Sequence, residues 1–344
     1  MTPVRAHYAE RFTPVFDDFD GLLSHMDGDD HTRIRNLVHA AFTRTEVDTY
    51  TQWIEALADR LMTACVNSGE ADLVQDFAVP LPITVISEIV GIPPEMRPQV
   101  KAWSDDYAAV AVDFYTSVST EVMERGMNSI SEFRAYLLQR IEELRNDDSS
   151  ALLRTLAEAE ADGEVLSNNE VLANTILMLA AGNETTTATL GHGMRLFFEH
   201  PDQVALIRDN PTMMTNAVEE IMRLHGPIQF IGRFALEDVE VGGKTIPKGD
   251  LLLPVIASAN RDPEAFPDPT TFDITRDHIH HLAFATGRHM CAGLQLAKLE
   301  ARLGLEAFLK HMDSFELTET EFPLFKVFNI HGFSKLRVKT KATN

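Results

Sequence analysis

Cys291, one of the two cysteines in this 344-residue chain, is the residue best placed to do chemistry. It lies between Gly287 and Gly293, directly before an amphipathic stretch (294–309) with helical spacing. A thiol at a helix start faces the positive end of the helix dipole, which should lower its pKa and favour the thiolate. The glycines let the backbone turn sharply and admit a flat ligand. The loop therefore predicts a thiolate presented to a large planar group, although a lone cysteine is also a common inert core residue.

A polar step inside an apolar segment is the second candidate. Ala181 and Gly182 are followed closely by Glu184 and Thr185. The Thr185 hydroxyl can donate to the carbonyl of Ala181 four residues earlier, which bends a helix and opens a bulge. Gly182 weakens the same turn and leaves space beside it. The segment predicts either a groove in which a hydroxyl and an acid deliver protons to bound oxygen, or only a helix that leaves the core and turns polar.

Charged pairs at helical spacing form the remaining candidates. Glu220 and Arg223 are three residues apart, share a helix face and could brace a third segment, although such pairs are commonly weak surface ion pairs. His31 and Arg35 are four residues apart and could hold one anionic group between them. Further contacts of this kind are offered by two residues elsewhere in the chain, Arg233 and His289.

Positioning these residues requires a mostly helical chain. Periodicity predicts helices at residues 31–41, 47–68, 81–90, 100–112, 129–146, 168–200, 202–209, 212–224 and 294–310. Strands are predicted at residues 233–241, 245–256 and 326–338, with Gly242 and Gly243 closing a hairpin. We expect one domain over residues 1–344, mainly α with small peripheral β-sheets.

Composition limits the possible partners. A net charge of −22 argues against non-specific nucleic-acid binding, and it fits either a solvated acidic surface or a salt-adapted host. Two cysteines fit a reducing cytoplasm, and the second, Cys65, lies in a helical run typical of core. The longest apolar run, around residues 175–181, is too short to span a membrane. Near the cysteine loop, a local group of cations could receive an acidic partner: Arg288, Lys298 and Arg302.

Taken in chain order, these motifs resemble the cytochrome P450 family, in its soluble bacterial branch. The resemblance runs from about residue 22 to residue 338 and includes the segment Asn260-Arg-Asp-Pro-Glu-Ala-Phe-Pro-Asp-Pro269. It implies a single-domain cytochrome P450 fold that binds haem b (iron protoporphyrin IX), with Cys291 as the axial ligand of the iron.

The resemblance also implies roles for the other candidates. Glu184 and Thr185 become the catalytic proton-delivering pair, in an oxygen-activation groove with Ala181 and Gly182. Glu220 and Arg223 become a structural pair that supports the haem-binding core. The haem loop and the propionate partners are implied to comprise Phe284, Gly293, His31, Arg35, Arg233 and His289.

The implied activity is that of a haem-thiolate monooxygenase, which inserts one oxygen atom from O2 into a C–H bond of a hydrophobic small molecule by hydroxylation or epoxidation, in secondary metabolism. Electrons would come from NAD(P)H through ferredoxin reductase and a ferredoxin docked at the Cys291 face. Two alternatives stay open: a haem-thiolate enzyme of other outcome, such as a peroxygenase or oxidative coupling enzyme, and a catalytically silent relative that activates a partner. The expected pocket wall is Phe19, Leu22, Leu177, Met178, Ile228, Gln229, Phe230, Phe328 and Ile330, with Gln229 its one polar member.

Two departures from the family pattern stand out. Ala285 occupies the position after the loop phenylalanine, where the family usually has glycine. Only 30 residues precede the helix of His31 and Arg35, so the family's opening helix and first strands are expected to be missing. Their absence would leave an uncovered edge on the strands at residues 245–256 and 326–338, which invites dimerisation. We expect a cytoplasmic monomer or weak dimer.

Overall fold

The computed structural model describes residues 21–111, 119–144, 152–158, 160–161, 164–325 and 327–341. The α-helices of these residues are α1 (Gly28–Ala40), α2 (Arg44–Thr49), α3 (Thr51–Asn67), α4 (Pro80–Val90), α5 (Arg97–Ala111), α6 (Thr120–Leu144), α7 (Leu152–Glu158), α8 (Asn168–Glu199), α9 (Pro201–Asp209), α10 (Met213–His225), α11 (Ile256–Ala259) and α12 (Leu294–His311). The strands are β1 (Glu70–Asp72), β2 (Glu160–Ala161), β3 (Glu164–Val165), β4 (Arg233–Phe234), β5 (Val239–Val241), β6 (Lys244–Ile246), β7 (Leu251–Leu252), β8 (Phe315–Leu317) and β9 (Arg337–Thr340).

The long helix α8 organises the core. It begins with a capping box, in which the Ser167 hydroxyl accepts from the backbone N–H of Glu170 and the Glu170 carboxylate accepts from the backbone N–H of Ser167. Helices α4, α5, α10 and α12 pack against it. Most of its second half is buried, including Leu190, Met194 and Phe197. The capping box and the apolar interior together explain why this segment forms one continuous helix.

Small residues let α8 and α12 approach each other closely. A Cβ added to Gly193 of α8 would lie 2.7 Å from a Leu305 side-chain carbon, and one added to Gly304 would lie 2.6 Å from Leu190. Both distances are shorter than van der Waals contact, so larger residues would push the helices apart. Because the cysteine loop runs directly into α12, this packing fixes the position of Cys291 relative to α8.

The sheets are small, antiparallel and peripheral. Strands β1, β9 and β8 form a three-stranded sheet, and β2–β3, β4–β7 and β5–β6 form two-stranded pairs. In the β5–β6 hairpin Val241 pairs with Lys244, and the two residues between them, Gly242 and Gly243, have φ values of +57° and +75°. Two consecutive positive φ angles define the turn that the Gly-Gly pair predicts.

The sequence located the helices well and the strands poorly. The predicted helix at 47–68 is two helices, because Tyr50 ends α2 before α3 begins. The segment 326–338 is not a strand over its length: only β9 is regular, and Ile330 and Phe333 form isolated bridges. Ile256, predicted in a strand, begins α11. Missed elements are α7, the strands β1, β2, β3 and β8, and a π-helical stretch, Leu73–Ala78.

The prediction of an uncovered edge was wrong for one strand. Strand β9 pairs with β1 on one side and β8 on the other, so both of its edges are covered. Strand β7 pairs with β4 alone within the described part of the chain. Among the described residues, one helical run, Leu73–Val90, could cross a membrane by length and composition. Because 67% of that run is buried inside the structure, it is also what the core helix of a globular protein looks like.

Candidate functional site

A stripe of α8 is accessible although the rest of the helix is buried. Ala181 is exposed, and Leu177 and Met178 one turn earlier are partly exposed. On the other faces of the same turns Leu179 and Ala180 are buried. An accessible stripe in the middle of a core helix means that the structure leaves space beside it.

Thr185 and Gly182 shape this stripe. The Thr185 hydroxyl donates to the carbonyl oxygen of Ala181 at 2.8 Å, the contact expected from the sequence. The Thr189 hydroxyl repeats the arrangement one turn later, with the carbonyl of Thr185 at 2.9 Å. The nearest atoms to a Cβ added at Gly182 would belong to Ile86, at 3.7 Å, so a methyl group would fit there in ordinary van der Waals contact. A hydroxyl held on a backbone carbonyl is poised to turn towards a bound group.

Glu184 is an acid that keeps its proton. Burial and the neighbouring Asp105 carboxylate, which shares a hydrogen bond with it, together raise its pKa to about 8, while Lys101 acts in the opposite direction. Asp105 pairs with Lys101 on α5, and its side chain is 48% exposed. A buried neutral acid is therefore joined to solvent through an exposed carboxylate on a neighbouring helix.

The cysteine loop is held by its own backbone. The N–H of Cys291 donates to the carbonyl of Phe284 at 2.9 Å, and Gly287 has a φ of +76°. Ala285 has a φ of +56°, a left-handed conformation that costs free energy for a residue with a Cβ. Gly293 lies in the turn before α12 with an ordinary φ of −86°, so the turn expected there forms without requiring glycine. A Cβ at Gly293 would meet nothing within 4 Å, which leaves the space that a flat ligand requires.

The prediction of a lowered thiol pKa at Cys291 was also wrong. Burial raises the pKa of Cys291, although a hydrogen bond from the backbone of Gly293 and the charge of Arg35 act in the predicted direction. The desolvation of a thiolate in the interior outweighs both effects. The protein alone therefore holds a thiol here, and a metal ion would have to displace its proton on binding.

Cations predicted far apart in the sequence meet near the cysteine loop. The rings of His31 and His289 lie 4.3 Å apart between centroids, and Nε2 of His289 is 2.9 Å from a carboxylate oxygen of Asp27. Nε2 of His31 is buried without a hydrogen-bond partner among the described residues. Burial lowers the pKa of His31, and the charges of His289 and Arg35 lower it further. An orphaned imidazole nitrogen beside a guanidinium is suited to receive an anionic group.

Two predicted groups do not assemble as expected. Arg233 is exposed on β4 and donates to the carbonyl of Gly232, without contact to the His31 cluster in the described structure. Of the cations near the loop, Lys298 is paired with Glu219 at 2.6 Å and Arg302 with Glu306 at 3.0 Å. These two charges are largely satisfied within the chain.

Four residues of the predicted pocket wall lie together in pairs. Ile228 and Ile330 face each other across an isolated β-bridge, and the rings of Phe230 and Phe328 lie 5.3 Å apart in an edge-on arrangement. Phe328 is 58% exposed, and Leu177 and Met178 of the stripe are partly exposed. That these residues line one pocket stays a prediction.

Three members of that wall need correction or fall outside the structure. Leu22 is only 1% exposed and belongs to the core. The amide nitrogen of Gln229 donates to the carbonyl of Gly226 at 2.9 Å, so it stabilises its own turn and only its amide oxygen is left to meet a substrate. Phe19 lies outside the described residues.

Glu220 and Arg223 form a buried network, not a surface pair. Both side chains are 0% exposed, and they form two parallel hydrogen bonds of 2.7 and 2.8 Å. The remaining guanidinium hydrogens bond the carbonyls of Asn260, Pro269 and Thr271. Arg276, which the sequence did not indicate, adds a third charge at 3.0 Å from Glu220. The network ties α10 to the loop that leads towards Cys291.

Comparison with known proteins decides what this arrangement is. The cytochrome P450 family profile matches residues 11–341. The chain belongs to the cytochrome P450 family. It is 38% identical over 291 residues to the cytochrome P450 monooxygenase PikC of Streptomyces venezuelae, which covers 83% of this chain and 68% of PikC. It is 35% identical over 307 residues to the polyketide biosynthesis cytochrome P450 PksS of Bacillus subtilis (strain 168), 88% of this chain and 74% of PksS.

Structural comparison gives the same fold. A crystal structure of P450BioI in complex with hexadec-9Z-enoic acid ligated acyl carrier protein matches with a TM-score of 0.90 and 29% identity, over 96% of this chain and 85% of that one. The predicted family and the mainly α cytochrome P450 fold are thus confirmed. The chain is a member of the cytochrome P450 monooxygenase family, and membership implies a haem cofactor.

The residues of the cysteine loop fit that cofactor. Cys291 is a partly exposed thiol in a loop whose other residues are also partly or fully exposed, and the space beside Gly293 is open. Arg35 lies close enough for its charge to act on both Cys291 and His31. A soft ligand, a cradle without side chains and buried cationic partners are what an iron porphyrin with two propionates requires.

Proposed function

We propose that this cytochrome P450 inserts one oxygen atom from O2 into a C–H bond of a hydrophobic small molecule in secondary metabolism. The observation that carries the proposal is the Thr185 hydroxyl, held on the carbonyl of Ala181 beside an accessible stripe of α8 and next in the chain to Glu184, whose pKa is raised to about 8. A peroxide-driven enzyme needs no such proton supply, so the intact pair favours O2 as the oxidant.

Residues of the cysteine loop and of α1 would hold the cofactor. Cys291 would ligate the haem iron as a thiolate, and His31, Arg35 and His289 would bind the propionates. When bound, haem with a thiolate ligand supplies the cleavage of the O–O bond. Arg233, on an exposed strand, would contribute only at the edge of such a site.

The protein's own task is then to deliver protons in order. Glu184 holds a proton at neutral pH because it is buried beside Asp105. Asp105 is half exposed and can take up a new proton from water each time Glu184 releases one. When the Thr185 hydroxyl leaves the carbonyl of Ala181, it can accept a hydrogen bond from the Glu184 carboxyl group or donate one to a bound group. In this scheme Asp105 joins the relay that the sequence assigned to Glu184 and Thr185 alone.

Apolar side chains define the substrate class. Leu177, Met178, Ile228 and Ile330 would contact carbon rather than charge, and the relation to PksS makes a polyketide-type metabolite the class to screen first. Binding would hold one C–H bond in position and exclude water. The amide oxygen of Gln229 could accept from a substrate hydroxyl.

The electron supply is proposed by analogy with bacterial relatives. A ferredoxin, reduced by NAD(P)H through its reductase, would dock at the cysteine-loop face in the cytoplasm. Because Lys298 and Arg302 are paired within the chain, Arg288, exposed and without an ion pair among the described residues, is the cation that would meet the acidic partner. We propose that the enzyme acts as one chain, or as a weak dimer.

The proposal is tested by coupling electron use to product. Substrates are found by a spin-shift screen of a metabolite library, and NADPH consumption, peroxide and product are then measured for wild type, Thr185→Ala and Thr185→Ser. We expect the alanine variant to keep haem and substrate binding but to divert electrons to peroxide, and the serine variant to recover most of the coupling. Unchanged coupling in the alanine variant would remove the role of Thr185. Absence of O2-dependent product with every shifting ligand would contradict the function.

A further inference from the structure

Three histidines that play no part in the proposed reaction meet inside the molecule. His192 lies on α8, His225 ends α10, and His331 follows the bridge residue Ile330. One ring nitrogen from each lies within 4.8 Å of the others. We propose that His192, His225 and His331 form a binding site for a divalent transition metal with a preference for imidazole, of which Zn²⁺ is the probe.

The three rings are in the state that binds metal. Burial lowers the pKa of each, and the charges of Arg195 and Arg261 also lower the pKa of His331 and that of His225, which falls to about 3. Imidazoles with such pKa values are neutral at physiological pH, and the neutral ring is the ligand. A metal ion would therefore not have to displace protons from this cluster.

Hydrogen bonding leaves lone pairs available. Nε2 of His192 lies 3.2 Å from the backbone carbonyl oxygen of His331. Because a carbonyl only accepts, Nε2 carries the hydrogen and Nδ1 of His192 keeps the lone pair. A ring N–H bonded to a carbonyl is the arrangement that orients metal-bound histidines. Nδ1 of His225 is buried with no hydrogen-bond partner in the described structure, an unsatisfied atom that a metal would satisfy.

Binding requires a small rearrangement. The three ring centroids form a triangle, 4.8 Å from His192 to each of the others and 6.4 Å between His225 and His331, and the ring planes lie within 17° of one another. Ligand nitrogens around Zn²⁺ lie about 2.0–2.1 Å from the ion, hence about 3.3 Å from each other. The rings, whose ligand nitrogens now lie within 4.8 Å of one another, must therefore turn about their Cβ–Cγ bonds until their lone pairs converge.

Nearby charges restrict which ion fits. Arg195 lies over the Phe333 ring at 5.3 Å and is paired with Glu199, and Arg261 donates to the carbonyl of Ala257. The described residues place no carboxylate in the cluster itself. Mg²⁺ and Ca²⁺, which require oxygen ligands, are excluded by this donor set. Zn²⁺ and Cu²⁺ form bonds with imidazole strong enough to oppose the two guanidinium charges.

An occupied site would tie α8 to the predicted substrate wall. The N–H of His331 donates to the carbonyl of Pro227 at 2.8 Å, and the N–H of Gln229 donates to the carbonyl of Asn329 at 2.9 Å. His225 and His331 therefore stand at the ends of two segments that already pair through Ile228 and Ile330. A metal ion on all three rings would stiffen this wall without touching Cys291.

The test is a metal titration of the haem-loaded enzyme after treatment with a chelator. ZnCl2, and MgCl2 as the comparison, are titrated calorimetrically into wild type, His225→Gln and His331→Gln. The matched control is His278→Gln combined with His280→Gln, since that pair of histidines also stacks, at 6.2 Å, but on an exposed loop. The reduced carbon-monoxide spectrum checks that each variant is folded.

We expect one Zn²⁺ per wild-type chain and no heat from Mg²⁺. Affinity for Zn²⁺ should fall by about tenfold or more in each cluster variant, as for the loss of a partner at known sites, and stay unchanged in the control. Zn²⁺ should also raise the melting temperature of wild type and control alone. If Zn²⁺ does not bind stoichiometrically, or binds equally to wild type and both cluster variants, the proposal is overturned. His331 is partly exposed, so His331→Gln decides the outcome if His225→Gln does not fold.

Discussion

Two regions of this molecule bury charge in opposite ways. Around Glu220 every hydrogen-bonding group is satisfied: its carboxylate meets Arg223, Arg276 and the N–H of Asp273. Around the α8 stripe and the cysteine loop, polar groups are left incomplete. Both side-chain atoms of Asn183 and Nε2 of His31 lack partners within the described residues.

This difference distinguishes the residues that hold the fold in place from those that could bind a ligand or transfer a proton. A satisfied network has one low-energy arrangement and holds its elements in place. A network with unsatisfied polar groups has shifted pKa values, a strained backbone and donors without acceptors. These are the properties of residues that bind a ligand or transfer a proton. Glu220 and Glu184 are the same residue type on core helices, and their surroundings alone pair one with two guanidinium groups and raise the pKa of the other.

The largest effect on stability is expected from a substitution in the fully hydrogen-bonded network around Glu220. Glu220→Ala leaves Arg223 and Arg276 buried without a counter-charge, so the free energy of unfolding should fall by about 3–5 kcal/mol. The measurement is denaturant unfolding of the haem-loaded protein. The matched control is Glu306→Ala, which breaks the partly exposed pair with Arg302 and should cost about 0–1 kcal/mol. Equal losses in the two variants would show that the Glu220 network is no stronger than a surface pair.

The pH dependence of the free energy of unfolding tests the region around Glu184, where polar groups lack partners. The folded state keeps a proton on Glu184 up to about pH 8, whereas the unfolded chain releases it near the ordinary value of 4.5. Between these values the folded state binds more protons, so this group makes the free energy of unfolding fall as pH rises. Glu184→Gln cannot titrate and should remove that part of the slope.

A second substitution checks the cause of the Glu184 shift. Asp105→Asn removes the carboxylate that raises the pKa of Glu184, so the slope should end at a lower pH than in wild type. The band of a protonated carboxyl group in the infrared difference spectrum at neutral pH should weaken correspondingly. Parallel stability curves for wild type and Glu184→Gln across this pH range would mean that Glu184 is ionised and carries no proton at neutral pH.

The smallest effect concerns strain in the cysteine loop. A left-handed conformation costs a residue with a Cβ about 1–2 kcal/mol, and a substitution by glycine removes this cost. Part of the gain in stability is lost because glycine raises the conformational entropy of the unfolded chain. Ala285→Gly should therefore raise the free energy of unfolding by about 0.5–1 kcal/mol. Ala292→Gly, in the same loop but without a positive φ, should lower it. A loss of stability in both variants would mean that the φ of Ala285 carries no strain.

The sequence predicted what depends on local pattern. Periodicity located the core helices, and the four-residue spacing of Ala181 and Thr185 predicted their hydrogen bond. Asp105 and Arg276 could not be found, because each acts on a glutamate that is distant in sequence and only the packing of helices brings them together. The Cys291 pKa was predicted with the wrong sign because the helix dipole is readable from the sequence and the depth of burial is not.

The predictions of strands and of pocket residues were wrong for the same reason. Residues 326–338 carry a strand composition, but their pairing is decided by partners on distant segments, so only isolated bridges form there before β9 begins at Arg337. Gln229 looked like a free polar group in an apolar wall, and its amide nitrogen is taken by a turn that the sequence does not specify.

The most direct test of the central claim is the reduced carbon-monoxide difference spectrum of wild type and Cys291→Ser. We predict that the wild type shows the red-shifted Soret band of a thiolate-ligated haem and that the serine variant loses it. The control Cys65→Ser changes the buried cysteine of α3 and should keep the band. A red-shifted band that survives in Cys291→Ser, or that is missing from well-folded wild type with haem bound, would contradict the assignment of Cys291 as the ligand and with it the proposed reaction.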